Sequence, residues 1–232
     1  MSDDWNCPLC EQSIERDSSK PPPCYFHTCN SNKQRNGNER GACRDLDRAR
    51  KMLRQKYSDW RRPYEPVSVK LIIVAESPPA NGNYFYKPKQ KGSHGGELLF
   101  TAFMKHLNFS SDQKDVELRE LKRCGWILVD ATYEPVDKKC DLYKNDIMEQ
   151  DFELLCDELK KVRSNDQTPI ILIKKNVCET LVPKFKLTRD KFNVVNCRSR
   201  DPVVPFPMGR NPFHESFRKM RNLGGIFLPG ES

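Results

Sequence analysis

Two acidic residues directly follow apolar runs in this sequence, at positions where α/β proteins carry chemistry. The run 69–75 leads into Glu76 and Ser77, and the run 126–129 leads into Asp130. A carboxylate beside a reacting carbon can stabilise developing positive charge or orient a water molecule, and a hydroxyl can hold that water or a phosphate. We therefore expect Glu76, Ser77 and Asp130 to be catalytic, with Glu76 the first candidate for the charge-stabilising carboxylate.

Three aromatic residues follow the first acidic position closely. Tyr84, Phe85 and Tyr86 lie in a predicted loop, where flat rings can stack on a nucleic-acid base. The alternative is that one or more of these rings cap the hydrophobic core. The sequence leaves both interpretations open.

A stiff loop precedes the last predicted helix. It reads Pro205-Phe-Pro207-Met-Gly209-Arg210-Asn211-Pro212. Backbone N–H groups and the helix dipole at such a place favour an anion, and Arg210 adds positive charge. We expect Pro207, Gly209, Arg210 and Asn211 to contact a nucleic-acid backbone, and the alternative is an ordinary turn from strand to helix.

The N-terminal segment contains a cysteine pattern with metal-ligand spacing. The pair Cys7-Pro-Leu-Cys10 lets two thiolates reach one metal ion, and Cys24 with Cys29 can complete the site. His27 and Cys43 are alternative fourth ligands. Zinc is the first choice, because a tetrahedral site would order a segment that has no core, and an iron–sulfur cluster is the alternative. Unligated cysteines in a flexible arm remain a third possibility.

Charge and hydropathy narrow the class of partner. The 232 residues carry a formal net charge of +8, and residues 30–62 hold eleven Lys or Arg against four Asp or Glu. This pattern favours a polyanion such as DNA, although it is also typical of a solvated basic helix. The chain has neither a basic, apolar N-terminal signal nor a run long enough to span a membrane. We expect an intracellular protein without a membrane partner, cytoplasmic and associated with nucleoid or nucleus.

The chain is predicted to have three parts. Residues 1–43 form the cysteine-rich segment, residues 44–62 a basic amphipathic helix or linker, and residues 63–232 an α/β domain. Apolar runs at 69–75, 126–129, 169–173 and 192–196 predict buried strands, and periodicity predicts helices at 44–60, 97–107, 147–162, 177–181 and 212–221. The alternation indicates a three-layer, doubly wound α/β fold with a mostly parallel four-stranded central sheet.

In this order, the segments over residues 67–223 resemble the uracil-DNA glycosylase superfamily. The first motif looks like residues 75–79, the base-recognition position falls on Asp130, and the second motif, which enters the minor groove, looks like residues 206–211. The resemblance implies a DNA-repair hydrolase that extrudes a damaged or modified base and cleaves its N-glycosidic bond. The N-terminal cysteine pair is similar to that of the branch with an iron–sulfur cluster.

The chain departs from this family at three positions. Ala75 stands where the first motif usually has Gly, and Phe206 replaces the His that often opens the second, so no His-assisted departure of the base is expected. Asp130 stands where Asn is common. An ionised Asp only accepts hydrogen bonds, which predicts a preference for an amino-bearing base such as a modified cytosine.

Three other functions fit the same residues. The fold can have lost its chemistry and act as a nucleic-acid-binding module, it can hydrolyse a nucleotide-like small molecule, or the chain can be a metal-stiffened interaction protein. Base release with a dependence on Glu76, and a steep dependence of binding on salt, distinguish these possibilities.

Overall fold

The computed structural model describes residues 39–87, 97–137, 139–196, 203–209 and 211–228 and two short N-terminal strands, with side chains from Arg48 onward. The chain divides into two compact units, Met1–Leu53 and Arg54–Ser232. In the first unit, β1 (Trp5–Asn6) and β2 (Ser13–Ile14) pair in antiparallel orientation. The predicted boundaries at 43 and 62 stay a prediction.

The second unit is built on a four-stranded, all-parallel sheet. Its strands are β3 (Leu71–Ala75), β4 (Trp126–Asp130), β5 (Pro169–Leu172) and β6 (Asn193–Val194), in the spatial order β4-β3-β5-β6. The described residues of β3, β4 and β5 are buried throughout, as expected for strands that read as continuous apolar runs. The predicted α/β class and the parallel four-stranded sheet are confirmed.

Seven helices lie in the described parts of the chain. They are α1 (Glu39–Arg61), α2 (Leu98–His106), α3 (Lys114–Arg123), α4 (Asp141–Gln150), α5 (Phe152–Val162), α6 (Lys175–Leu187) and α7 (Phe213–Leu223). None of the helices described is long and apolar enough to cross a membrane.

One helix prediction was wrong, and one helix was not predicted. The single helix predicted at 147–162 is two helices that meet at Asp151, which accepts a hydrogen bond of 2.8 Å from Thr132 Oγ1. Helix α3 was missed, because its sequence is mostly charged and its buried leucines, Leu118 and Leu121, make only one i, i+3 pair. A longer amphipathic pattern is needed to identify a helix from periodicity alone.

Alternate strand residues pack against different helices. One set, with Ile72, Val74, Ile127 and Val129, forms a core with residues of α4, α5 and α6. In the other set, the ring of Trp126 lies 6.5 Å from Phe103 of α2 and 5.7 Å from Phe217 of α7, centroid to centroid. Burial of each such side chain contributes about 1.5–3 kcal/mol to the stability of the fold. The strand ends are therefore held on a rigid support.

The strand order creates a switch point between β3 and β5. The chain passes from β3 to β4 on one side and then crosses to β5 on the other side of β3. The connections that leave β3 and β5 therefore run in opposite directions, which opens a crevice at their carboxyl ends. Glu76 follows β3 at this crevice.

Candidate active site at the carboxyl ends of the parallel strands

Glu76 is the centre of a polar cluster formed by three residues from two strand ends. Its side chain is 4% exposed, and Lys174 Nζ donates to its Oε2 at 2.5 Å. Asn176 Nδ2 donates to the other carboxylate oxygen, Oε1. We call Glu76, Lys174 and Asn176 the Glu76 cluster. Because both oxygens have a donor, the carboxylate is fixed in position at the switch point.

Lys174 has an unusual backbone conformation. Its φ is 81° and its ψ is 147°, in a region that L residues rarely adopt. Such a conformation costs about 1–3 kcal/mol and persists where neighbours hold it. Here the Lys174 N–H donates to Val204 O at 2.8 Å, and Ile173 forms a parallel bridge with Val204. Val204 therefore holds the backbone of Lys174, and Glu76 holds its side chain.

The loop that begins at Pro205 lies beside the Glu76 cluster. Lys174 Nζ is 5.1 Å from the centroid of the Phe206 ring. Asn211 Nδ2 donates to Phe206 O, and Asn211 Oδ1 accepts from the Phe213 N–H at 3.3 Å, so one side chain closes the loop and supports the start of α7. Gly209 has φ 59°, which suits glycine. Pro207 is partly buried, and Arg210 lies outside the described residues.

Ser77 links two of the loops that border the crevice. Its Oγ accepts from the Val136 N–H at 3.3 Å, which joins the segment after β3 to the segment after β4. The strand pairing also continues past the strand ends, because Thr132 N–H donates to Glu76 O at 3.1 Å. Ser77 is therefore placed to support the wall of the crevice.

Asp130 has a very different environment from Glu76, although the two strands are neighbours. It is the last residue of β4, pairs in register with Ala75 and is 2% exposed. Its Oδ2 has no hydrogen-bond partner among the described residues. Burial raises the pKa of Asp130 to about 8, and the negative charge of Glu158 adds to this effect against the opposing Arg61. The neutral acid therefore predominates at neutral pH.

The raised pKa of Asp130 argues against one hypothesis from the sequence. The expected preference for amino-bearing bases required an ionised carboxylate that only accepts hydrogen bonds. A neutral carboxyl group both donates and accepts. The physical reason is burial, because desolvation disfavours the charged form of an acid.

A buried charge network stands close to Asp130. Arg54 and Arg61 of α1 donate to the two carboxylate oxygens of Glu158 on α5. Tyr133 OH donates to Glu158 at 2.8 Å and accepts from Arg61 at 3.0 Å. Burial raises the pKa of Glu158, but the charges of Arg54 and Arg61 outweigh burial, so its pKa is lowered. We call Arg54, Arg61, Tyr133 and Glu158 the Glu158 network.

The three aromatic residues expected to stack on a base are core residues. Tyr84, Phe85 and Tyr86 are 1%, 7% and 0% exposed. Tyr86 OH accepts from the Leu128 N–H of β4 at 2.7 Å, and the ring of Phe85 lies 5.2 Å from that of Phe100 on α2. Of the two interpretations that the sequence left open, stacking on a base and capping of the core, the burial of these rings supports the second.

A separate open cavity of about 580 Å³ lies between α2 and α3. Its lining includes Glu97, Met104, Lys105 and Lys114. It shares no residue with the Glu76 cluster or with Asp130. Size alone does not connect this cavity with the strand-end chemistry.

The metal ligands predicted in the N-terminal segment, Cys7, Cys10, Cys24 and Cys29, lie outside the described residues. Within the described ranges, no group of three or more His, Cys, Asp or Glu side chains could hold a metal ion. Zinc or an iron–sulfur cluster therefore stays a prediction.

Sequence reasoning missed Lys174, Asn176 and the Glu158 network. Lys174 carries a signal that was available, because it is the first polar residue after the apolar run 169–173, as Glu76 is after 69–75. The partners of Glu158 carry no such signal, because α1 and α5 are about one hundred residues apart.

Comparison of the chain with protein-family models, with curated proteins and with solved structures gives no match.

Proposed function

We propose that the chain is a DNA glycosylase of the uracil-DNA glycosylase type, which extrudes a damaged or modified base and hydrolyses its N-glycosidic bond. One observation carries the proposal. The two candidate motifs are 130 residues apart in the sequence, yet Lys174 contacts both the Glu76 carboxylate and the Phe206 ring. Helix packing against both sets of alternate strand residues supports the finer inference of a three-layer, doubly wound domain.

In this proposal Glu76 supplies the negative charge that bond cleavage requires. Breaking the bond between C1′ and the base nitrogen builds positive charge on the sugar, and a fixed carboxylate stabilises that charge without rearranging. Lys174 and Asn176 hold Glu76 in one orientation. Phe206, which is partly buried beside this cluster, replaces Tyr84, Phe85 and Tyr86 as the ring proposed to stack on the base.

A neutral Asp130 changes the class of base that we propose. Its hydroxyl can donate and its carbonyl oxygen can accept, as the amide of Asn does. This pairing fits an N–H donor beside a carbonyl acceptor, the edge that uracil and hypoxanthine present. The free Oδ2 in the described structure supports this role.

DNA is the proposed partner because clustered cations bind a phosphate backbone by releasing its counterions. The formal net charge of +8 supports it. The contacts to phosphate are proposed for Gly209, Arg210, Asn211 and the basic face of α1.

Base release is the experiment that tests the proposal. Single- and double-stranded oligonucleotides with uracil, hypoxanthine or a modified cytosine are incubated with the protein, and alkali then cleaves any abasic site. We expect release of uracil or hypoxanthine, and a loss of roughly 100- to 10,000-fold in Glu76→Gln. The matched control is Glu179→Gln, which removes an exposed carboxylate on α6 and should leave the rate unchanged. Equal rates in Glu76→Gln and wild type would remove Glu76 from the reaction.

A binding module of the same fold is the second candidate, and a specific observation favours it. Both oxygens of Glu76 already accept hydrogen bonds from protein donors, which is typical of a structural carboxylate. Salt-sensitive DNA binding without release of any base would identify this case.

For the N-terminal segment we propose zinc bound by Cys7, Cys10, Cys24 and Cys29. Cys7 and Cys10 lie in the sequence between β1 and β2, whose pairing supports a compact unit there. Elemental analysis of the purified protein distinguishes one equivalent of zinc from iron with sulfide, and a metal-free folded protein would contradict both.

A further inference from the structure

Trp60, near the end of α1, is the partly exposed member of a cluster of aromatic rings. Its ring lies 5.3 Å from that of Tyr57 and 5.8 Å from that of Tyr84, centroid to centroid. Tyr57 and Tyr84 are 9% and 1% exposed. Because the supporting rings are buried, they hold the indole in place at the surface.

Two lysine ammonium groups lie over the Trp60 ring. Lys56 Nζ is 5.6 Å and Lys87 Nζ is 5.7 Å from the ring centroid. Lys56 stands one turn before Trp60 on α1, and both lysines are exposed. Neither ammonium pairs with an acidic side chain in the described part of the chain. Both positive charges are therefore available to an anion that approaches the ring.

The backbone of Lys87 is held by a buried side chain. Lys114, which is 4% exposed, donates from Nζ to Lys87 O and to Tyr84 O, each at 3.0 Å. The Lys87 N–H also donates to Tyr84 O at 3.0 Å. The place of Lys87 beside Trp60 is therefore fixed by the fold, although its own side chain is exposed.

The local charge around the indole is positive. Asp59 and Arg62, the exposed charged neighbours of Trp60 on either side in the sequence, pair with each other at 2.8 Å. This pair leaves the charges of Lys56 and Lys87 without a balancing acid at the ring. Such a surface complements a phosphate backbone.

A supported indole with cations beside it has the chemistry of a site for single-stranded nucleic acid. In such sites a base stacks on an aromatic ring while cationic side chains follow the phosphates. A base inside a duplex is already stacked between its neighbours, so only an unpaired base can offer its face to the ring. The chemistry of the surface therefore favours a single strand over a duplex.

We propose that Trp60, Lys56 and Lys87 bind single-stranded DNA, with one unpaired base stacked on the indole and the adjacent phosphates on the two lysines. The choice of DNA rests on the proposed function. The surface itself lies outside the Glu76 cluster and the loop that begins at Pro205, and it adds a preference for single strands that base release does not require.

The aromatic cluster also connects this surface with the carboxyl end of β4. Tyr57, which supports Trp60, stacks on Tyr133 with centroids 5.4 Å apart. Tyr133 follows the end of β4 by three residues. A strand stacked on Trp60 is therefore held on the same aromatic support as the strand end where the target base is proposed to bind.

Binding of undamaged oligonucleotides tests the proposal. The full chain is titrated with labelled oligothymidylate, with a duplex of the same length and with oligouridylate, and fluorescence anisotropy gives Kd. We expect the DNA single strand to bind most tightly. Trp60→Ala should weaken its binding by roughly 5- to 150-fold and leave duplex binding unchanged. Trp60→Phe keeps a ring that can stack and pack on Tyr57, and should retain most of the affinity.

Intrinsic fluorescence tests stacking without a truncated side chain. Oligothymidylate should quench the indole emission of the wild-type chain, because a stacked base contacts the excited ring. Trp60→Phe should bind but lose this quenching, since Trp126 is 1% exposed and not available for stacking. Quenching that persists in Trp60→Phe would place the contact at another tryptophan and overturn the proposal.

Salt dependence tests the two lysines. Each phosphate contact contributes about 0.7 to the slope of log K against log salt concentration for a single strand. Lys56→Gln and Lys87→Gln should each lower the slope by about that amount. The matched control is Lys160→Gln on α5, whose ammonium already pairs with Asp190 at 2.8 Å, and it should leave the slope unchanged.

Three results would overturn the proposal. They are equal affinity of Trp60→Ala and wild type for the single strand, tighter binding of the duplex or of the RNA, and an equal change of slope in all three lysine variants. Because the oligonucleotides contain no damaged base, this surface can fail while base release succeeds. Base release can equally fail while stacking on Trp60 persists.

Discussion

Glu76 and Asp130 lie at the carboxyl ends of two neighbouring parallel strands, yet their environments differ in almost every respect. Glu76 has a cation and an amide on its two oxygens, and the cation is partly exposed. Asp130 is enclosed, its Oδ2 has no partner in the described part of the chain, and its pKa is raised to about 8. One position holds a paired carboxylate and the other a neutral acid.

The difference shows that the position of an acid at a strand end does not determine its charge. Desolvation disfavours the ionised form unless an opposite charge is close. Lys174 provides that charge for Glu76, whereas Arg54 and Arg61, the cations near Asp130, pair with Glu158 instead. Two acids in such different environments can take different roles in one reaction.

The largest expected effect is on the Glu158 network. Glu158→Gln leaves the guanidinium groups of Arg54 and Arg61, which are 11% and 2% exposed, without their carboxylate. We expect the free energy of unfolding to fall by about 3–5 kcal/mol, measured by urea denaturation. Glu179→Gln, which breaks an exposed pair on α6, should cost at most about 1 kcal/mol. Equal small losses in both variants would mean that the network is not buried in solution.

The second prediction concerns the pH dependence of stability from Asp130. Its folded pKa of about 8 lies above its ordinary value of 3.8, so the folded state binds the proton more tightly. The stability due to this group is complete below pH 4 and is lost as pH rises toward 8. Asp130→Asn removes the dependence. Relative to wild type, the variant should therefore gain up to about 5 kcal/mol between pH 4 and pH 8.

Chemical denaturation at a series of pH values checks this prediction. The control is Asp157→Asn, which changes an exposed aspartate on α5 and should follow the wild-type curve. A constant difference between Asp130→Asn and wild type across this range would show that Asp130 titrates normally, and burial would then not set its charge.

The smallest expected effect is a difference in stability between variants of two tyrosines that are each 1% exposed. Tyr133→Phe removes a hydroxyl that bonds both Arg61 and Glu158, and should cost about 1–2 kcal/mol. Tyr84→Phe removes a hydroxyl without a partner among the described residues, and should change stability by less than about 0.5 kcal/mol. Denaturation of both variants checks this, and an equal cost would mean that Tyr84 has a hydrogen bond in solution.

Most of the sheet and several helices were predictable from local patterns. The runs that became β3, β4 and β5 are apolar and short, and each stands before a turn or a polar residue. Helices α2 and α7 begin and end within two residues of their predicted limits. The split at Asp151 and the charged helix α3 were not predictable, because both depend on packing rather than on periodicity.

The sequence by itself determined where the strands end, and hence that Glu76 and Asp130 lie at one edge of the sheet. A strand-end residue is defined by the apolar run before it, which is a local property. The tertiary structure alone decided that Lys174 pairs with Glu76 across 98 residues of chain. It also decided that Asp130 is buried, which raises the pKa of its carboxyl group. Partners and desolvation come from distant elements, and these set the charge on an acid.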